Sequence, residues 1–230
     1  MKVIGHRGAA GLAPENSIRG IKAAIKAGVD GIEFDVRLSK DKQLFLCHDP
    51  TLERTHDVDK HIRTLTSKQL KRLKGKDGDH IPTLEEALEA SGNTPVYIEA
   101  KARGWAKPLA NALAKHPKKQ QINVIAFNHQ ELFEFTEYCP DITTYVLEQN
   151  NPFDAINAAQ VYGFSGIDVN YWTMNPLVYF LAKRHDLGII VYTSNKTWIA
   201  SLLKKLYPNI AITTNVPHTM QHLRDEVQAK

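Results

Sequence analysis

The sequence predicts an α/β protein, a (β/α)8 barrel forming a single domain over residues 1–230, with one short insertion after the second strand. Short apolar runs rich in β-branched residues alternate with longer amphipathic runs, eight times in succession. No low-complexity linker interrupts that alternation. The length, 230 residues, lies near the short end of the range of roughly 200–400 typical of such barrels.

The first strand is expected at residues 3–4 and its helix at 17–27, opened by Asn16-Ser17 and stopped by Gly28. The second strand, 31–36, precedes the insertion between Pro50 and Pro82, after which Pro82-Thr83 starts a helix over 84–90. Strand 96–100 leads to helix 105–115, strand 123–127 to helix 130–138, and strand 142–147 to helix 152–162, which Gly163 ends. The last three units pair 166–169 with 176–185, 188–192 with 197–206, and 210–213 with 216–227.

Composition excludes several classes. A hydrophobic share of 43% and a charged share of 23% are ordinary for a globular protein. The net charge of +4 is mild and the basic residues are scattered, so no nucleic-acid partner is expected. The densest basic run, Lys68 to Lys76, alternates with Leu70 and Leu73 and reads as the wet face of a helical turn. Cys47 and Cys139 are far apart and form no CxxC spacing; Cys47 reads as a buried free thiol, in keeping with a reducing compartment. The opening MKVIGHRG passes straight into a strand without a leader pattern, and no apolar run reaches the ~20 residues of a membrane span. The expectation is a cytoplasmic protein without stable membrane association, to which a small-molecule substrate comes in soluble form.

Polar residues gather where the strands end, the face on which barrel enzymes carry their chemistry. On the second strand Ile32, Phe34 and Val36 alternate with Glu33, Asp35 and Arg37, so both carboxylates share one face. Glu99 and Lys101 close the third strand. Glu33, Asp35 and Glu99 converging from neighbouring strands would repel one another without a cation. Oxygen-only ligands suit a hard divalent ion, Mg²⁺ or Ca²⁺ with Mn²⁺ a further candidate, rather than zinc. The plainer alternative pairs Glu99 with Lys101 and Glu33 with Arg37. His6 and His48 each terminate a strand beside the carboxylates, where two imidazoles can divide proton transfer between them. Arg7 offers a planar cation for phosphate oxygens.

These residues carry a family resemblance. His6-Arg7-Gly8, Pro14-Glu15-Asn16, Glu33-x-Asp35-Val36, His48-Asp49-Pro50-Thr51-Leu52-x-Arg54-Thr55, Pro82-Thr83-Leu84-Glu85-Glu86 and Ile98-Glu99-x-Lys101 together resemble glycerophosphodiester phosphodiesterases of the bacterial cytosolic type. The resemblance implies a metal-dependent barrel that hydrolyses glycerophosphodiesters to sn-glycerol 3-phosphate and an alcohol. It implies Glu33, Asp35 and Glu99 as metal ligands, His6 and His48 as the acid–base pair, and Arg7 and Lys101 as phosphate contacts. The second half matches less closely. Tyr192-Thr193-Ser194-Asn195 stands where the family often shows Trp-Thr-Val-Asn, and Thr214-Asn215-Val216-Pro217 where it often shows Thr-Asp-x-Pro. Tyr192 is expected to line the pocket for glycerol or head group, and both departures are expected to affect substrate preference and efficiency rather than proton transfer. Two alternatives stay open at this point: a phospholipase-like phosphodiesterase of the same barrel type, and a barrel that binds phosphoryl ligands without turnover.

Overall fold

A computed structural model describes residues 1–114 and 116–224. The chain runs through β1 (Lys2–Gly5), α1 (Ile18–Lys26), β2 (Gly31–Leu38) and β3 (Leu44–Leu46), then the insertion elements β4 (Thr51–Leu52), α2 (Glu53–His56), β5 (Val58–His61) and α3 (Ser67–Leu70). Next come α4 (Leu84–Ser91), β6 (Val96–Ala100), α5 (Ala106–Leu113), β7 (Ile122–Ala126), α6 (His129–Tyr138), β8 (Thr143–Glu148) and α7 (Pro152–Tyr162). The chain closes with β9 (Gly166–Asn170), α8 (Pro176–Arg184), β10 (Gly188–Tyr192), α9 (Thr197–Leu206) and β11 (Ala211–Thr214).

Eight parallel strands form a closed ring in the order β1-β2-β6-β7-β8-β9-β10-β11, with β11 returning to β1. Period-two alternation sorts every strand into two faces. Ile4, Tyr97, Ile125, Leu147, Ile190 and Ala211 fill the lumen. Their sequence neighbours, among them Val3, Ile98, Val124, Val146, Ile189 and Ile212, pack outward in the main core, which also takes in helix residues. Gly166 leaves room for Tyr145: a Cβ there would lie 2.6 Å from the ring and 2.4 Å from the Gly188 carbonyl.

The N-caps follow the signals in the sequence. Ser17 accepts from the Gly20 amide, Thr83 and Glu86 form a capping box, and Asn128, Asn151 and Asn175 cap α6, α7 and α8. β2 runs past the barrel and pairs antiparallel with β3, Val36 opposite Leu46. The insertion rests on its own small core of Phe45, Cys47, Leu52, Ile62, Leu65, Leu70 and Ile81. Its basic run holds one buried leucine, Leu70, on the short helix α3.

The expected helix over 216–227 is not formed in its described part. Residues 217–219 and 221–223 make 3₁₀ turns, and residues 225–227 of that span lie outside the described residues, as does Lys115 of the expected helix 105–115. Tertiary contacts override the helical pattern. The Gly11 amide donates to the Asn215 carbonyl, the Asn215 amide donates to Asn195 Oδ1, and Arg224 clasps Asp30 at 2.6 Å. Among the described residues no helix is long and apolar enough to cross a membrane.

Candidate active site

The turn after β1 is built around a backbone approach that needs glycine. Gly8 has φ +84°, and a Cβ there would stand 2.5 Å from the Gly20 backbone of α1. Arg7 before it is also left-handed, φ 50°. That conformation lets two consecutive amides turn toward β2: Arg7 N–H donates to Glu33 Oε2 at 2.8 Å and Gly8 N–H to the Glu33 carbonyl at 2.9 Å. Asn16, also left-handed, bonds Asp35 twice, its amide to Oδ2 at 2.8 Å and its Oδ1 to the Asp35 N–H at 3.0 Å. The first loop therefore fixes both carboxylates of β2.

Glu33, Asp35 and Glu99 come together, each buried, with one oxygen of each within 4.8 Å of the others. Lys101 Nζ pairs with Glu99 and lies 3.1 Å from Asp35 Oδ1, while Arg7 Nε lies 3.4 Å from Asp35 Oδ2. Two cations do not balance the cluster evenly. Burial opposes ionisation of Asp35, but Lys101 and Arg7 outweigh it and hold its carboxyl below the usual range. Burial and the neighbouring Asp35 push Glu99 up to about 7 and Glu33 well above the ordinary value. Glu33 Oε1 is buried without a hydrogen-bond partner. Of the plainer pairing alternative, the Glu99–Lys101 half is present. The Arg37 half is not, since Arg37 Nε donates to the His48 carbonyl at 2.9 Å.

The two histidines have different supports. His6 Nδ1 lies 2.6 Å from Asn215 Oδ1 and Nε2 lies 3.9 Å from Glu33 Oε2. An amide oxygen can only accept, so Nδ1 carries the proton and the Nε2 lone pair is free. Burial, with Arg7 adding to it, lowers the His6 pKa to about 4. His48 Nδ1 instead lies 2.7 Å from the Asp49 carboxylate. Burial lowers its pKa too, against the pull of Asp35 and Asp49. Asp49 is tied to Arg54 at 2.5 Å, and Arg54 with Arg7 brackets Glu15.

A cavity of about 320 Å³ opens over this constellation. His6, Arg7, Glu33, His48, Glu99 and Lys101 form one wall; Phe127, Leu147, Asp168, Tyr192 and Thr213 form much of the rest. Asp35 stands behind the wall, fully buried. His48 also borders a second cavity of about 230 Å³ beneath the insertion, which holds none of the three carboxylates. Tyr192 lines the first cavity and its hydroxyl donates to the Glu148 carbonyl at 3.2 Å.

Two residues have a larger part in the site than the sequence suggested. Asn215, expected to bear on substrate preference and efficiency but not on proton transfer, is the direct partner of His6. Asp168 passes unnoticed in the sequence, where one acid in Gly-Ile-Asp-Val-Asn is unremarkable. Period-two logic was the available signal, because Gly166, Asp168 and Asn170 share the inward face.

The sequence profile of the glycerophosphoryl diester phosphodiesterase family matches residues 6–219. The chain belongs to that family. It is 32% identical over 161 residues to a glycerophosphodiester phosphodiesterase of Caldanaerobacter subterraneus, covering 64% of this chain and 66% of that one. It is 28% identical over 223 residues to one from Bacillus subtilis, covering 84% and 76%. Among solved structures, an Oleispira antarctica phosphodiesterase in complex with the product sn-glycerol-3-phosphate superposes with TM-score 0.89 at 25% identity, covering 96% of each chain. A glycerophosphodiester phosphodiesterase from Parabacteroides distasonis gives 0.84 at 26% identity, covering 96% and 95%. This family member is a phosphoric diester hydrolase on a (β/α)8 barrel.

Proposed function

We propose that the chain hydrolyses glycerophosphodiesters to sn-glycerol 3-phosphate and an alcohol, with a divalent cation on Glu33, Asp35 and Glu99 and proton transfer by His6 and His48. The observation that carries this reading is a cluster of three buried carboxylates, two of which line one cavity together with two differently supported imidazoles. The donor set fits a hard ion: it offers only oxygen, and Glu33 Oε1 is orphaned. Such an ion, Mg²⁺ or Ca²⁺, would supply a Lewis acid for the phosphoryl oxygens.

The chain's own residues do the rest. Arg7 and Lys101 offer two cations on the same wall, where the non-bridging oxygens of the phosphate gather charge in the transition state. His6, neutral at physiological pH and held by a neutral amide, takes the proton from the attacking oxygen. His48, backed by the Asp49 carboxylate that favours its imidazolium, gives a proton to the departing alkoxide. The proximity of these groups in one cavity supports turnover over mere ligand binding. A cytoplasmic site for the reaction is supported by the two free, buried cysteines.

The test is to dialyse the protein against EDTA and incubate it with glycerophosphocholine, with and without Mg²⁺, Ca²⁺ or Mn²⁺. Glycerol 3-phosphate should appear with metal and be absent without it. Choline phosphate as the product, or full turnover after chelation, would overturn the reading.

A further inference from the structure

The inward face of β9 carries a carboxyl that none of the proposed chemistry uses. Asp168 is 4% exposed, and its Oδ1 is buried without any hydrogen-bond partner. Its neighbours across the ladder are Leu147 on β8 and Ile190 on β10, both apolar lumen residues. Burial, and Glu99 after it, push the Asp168 carboxyl well above its ordinary pKa, so it can donate as well as accept. A buried polar group with no partner is destabilising, and native structures place few without a use. Asp168 is not sealed in the core, however; it lines the same cavity as the histidines and Lys101.

Its position in the ring says what it faces. β9 is four strands from β2 in either direction around the eight-stranded barrel, so Asp168 stands across the lumen from the strand of Glu33 and Asp35. A phosphodiester anchored at the carboxylate wall must extend its organic part away from that wall. Beyond that wall the lining mixes Leu147, Phe127 and Tyr192 with Gln149, Thr193 and Thr213, and Asp168 is its one carboxyl. A glycerol moiety has two free hydroxyls to bury there, and each needs a partner.

We infer that Asp168 is a substrate-binding residue that hydrogen-bonds a hydroxyl of the glycerol moiety and so makes the pocket select polyol phosphodiesters over simple alkyl ones. The inference rests on the glycerophosphodiester reading above and adds the group that recognises the polyol. The carboxyl accepts the hydroxyl hydrogen, donates to the hydroxyl oxygen, or does both. A polyol head group carries the same chemistry, so the ligand in the test must lack a head group.

The experiment measures binding to metal-loaded protein by calorimetry, comparing glycerol 3-phosphate with propyl phosphate, which matches its carbon chain but has no hydroxyls. The wild type should prefer glycerol 3-phosphate by roughly 10–100-fold, the range of one or two hydrogen bonds to a buried carboxyl. Asp168→Ala should collapse that ratio toward unity. Asp168→Asn, which keeps one donor and one acceptor, should retain most of it. Metal affinity, titrated in the same variants, should stay within a few-fold of wild type. Equal ratios in wild type and Asp168→Ala would overturn the inference, as would a sharp loss of metal affinity, which would make Asp168 a ligand. Selectivity lost for glycerol 3-phosphate but kept between glycerophosphoglycerol and glycerophosphoethanolamine places Asp168 at the glycerol; the reverse assigns it to the head group and overturns it. If the wild type releases no glycerol 3-phosphate from any glycerophosphodiester, the parent reading falls, and that failure is visible before any variant is made.

Discussion

At the residue scale, the division of labour between the histidines follows from what stands behind each ring. An amide oxygen 2.6 Å from His6 Nδ1 fixes the tautomer without adding charge, whereas Asp49 places a carboxylate 2.7 Å from His48 Nδ1. If His6 is the base and His48 the acid, each alanine substitution should lower turnover of a natural diester by roughly 10²–10⁴-fold. A nitrophenyl ester needs little protonation of its leaving group. It should therefore restore most of the loss in His48→Ala and little of it in His6→Ala; equal impairment of both would contradict the assignment. Asn215→Asp offers a second check. A carboxylate at that position stabilises the imidazolium and raises the His6 pKa from about 4. Because the base must be neutral, the acidic limb of the kcat/KM profile should move to higher pH. An unmoved limb would mean that His6 is not the group titrating there.

At the element scale, the legible and illegible parts of the chain differ for physical reasons. Barrel strands announced themselves because burial on two faces leaves nearly continuous apolar runs, and Glu33, Asp35 and Glu99 stood out as charges that such a run cannot carry cheaply. Both cues are local. The link from Glu15 to Arg54 spans 39 positions and that from His6 to Asn215 spans 209, so neither leaves a mark on a short window. The end of the chain failed for the same reason: Asn195 and Gly11 draw the Asn215 backbone out of the helix its own pattern favours. The insertion is where this matters for function, because its core supports the segment carrying His48, Asp49 and Arg54. Leu70→Ala removes a fully buried side chain from that core and should cost about 2–5 kcal/mol locally. Cys47 lies in the same cluster, buried, and burial pushes its thiol up to about 12. Loosening the cluster should therefore speed Cys47 modification by a thiol reagent while lowering turnover. Turnover lost with Cys47 still protected would show that the insertion core and the site are independent.

At the scale of the whole molecule, the site gives the metal-free protein a stability–pH relation opposite in sign to that of the loaded one. In the unfolded chain Glu99 ionises near 4.5, but in the fold it holds its proton up to about 7. A carboxyl with a raised folded pKa binds more protons in the native state, so its contribution is fully present at low pH and is lost as pH rises through that window. Glu33 and Asp168, both pushed well up by burial, act in the same direction. His6 acts against them: its pKa falls from 6.5 to about 4 in the fold, so its contribution is lost as pH drops through that window, and His48 follows it. His56 and His116 are lowered as well, but of the four imidazoles only His6 is shifted as far as the three raised carboxyls, which therefore prevail. In EDTA the melting temperature should therefore be higher near pH 5 than near pH 7.5. Saturating Mg²⁺ or Ca²⁺ should invert the order, because the ion binds the ionised carboxylates, releases their protons, and stabilises more as pH rises. Glu33→Gln removes one titrating group and one ligand at once. It should flatten the slope in EDTA and sharply reduce the metal-induced rise at about pH 7.5, with little loss of stability in the apo-protein. A chelated protein that grows more stable from about pH 5 to about pH 7.5 would show that the three carboxyls are not held protonated together.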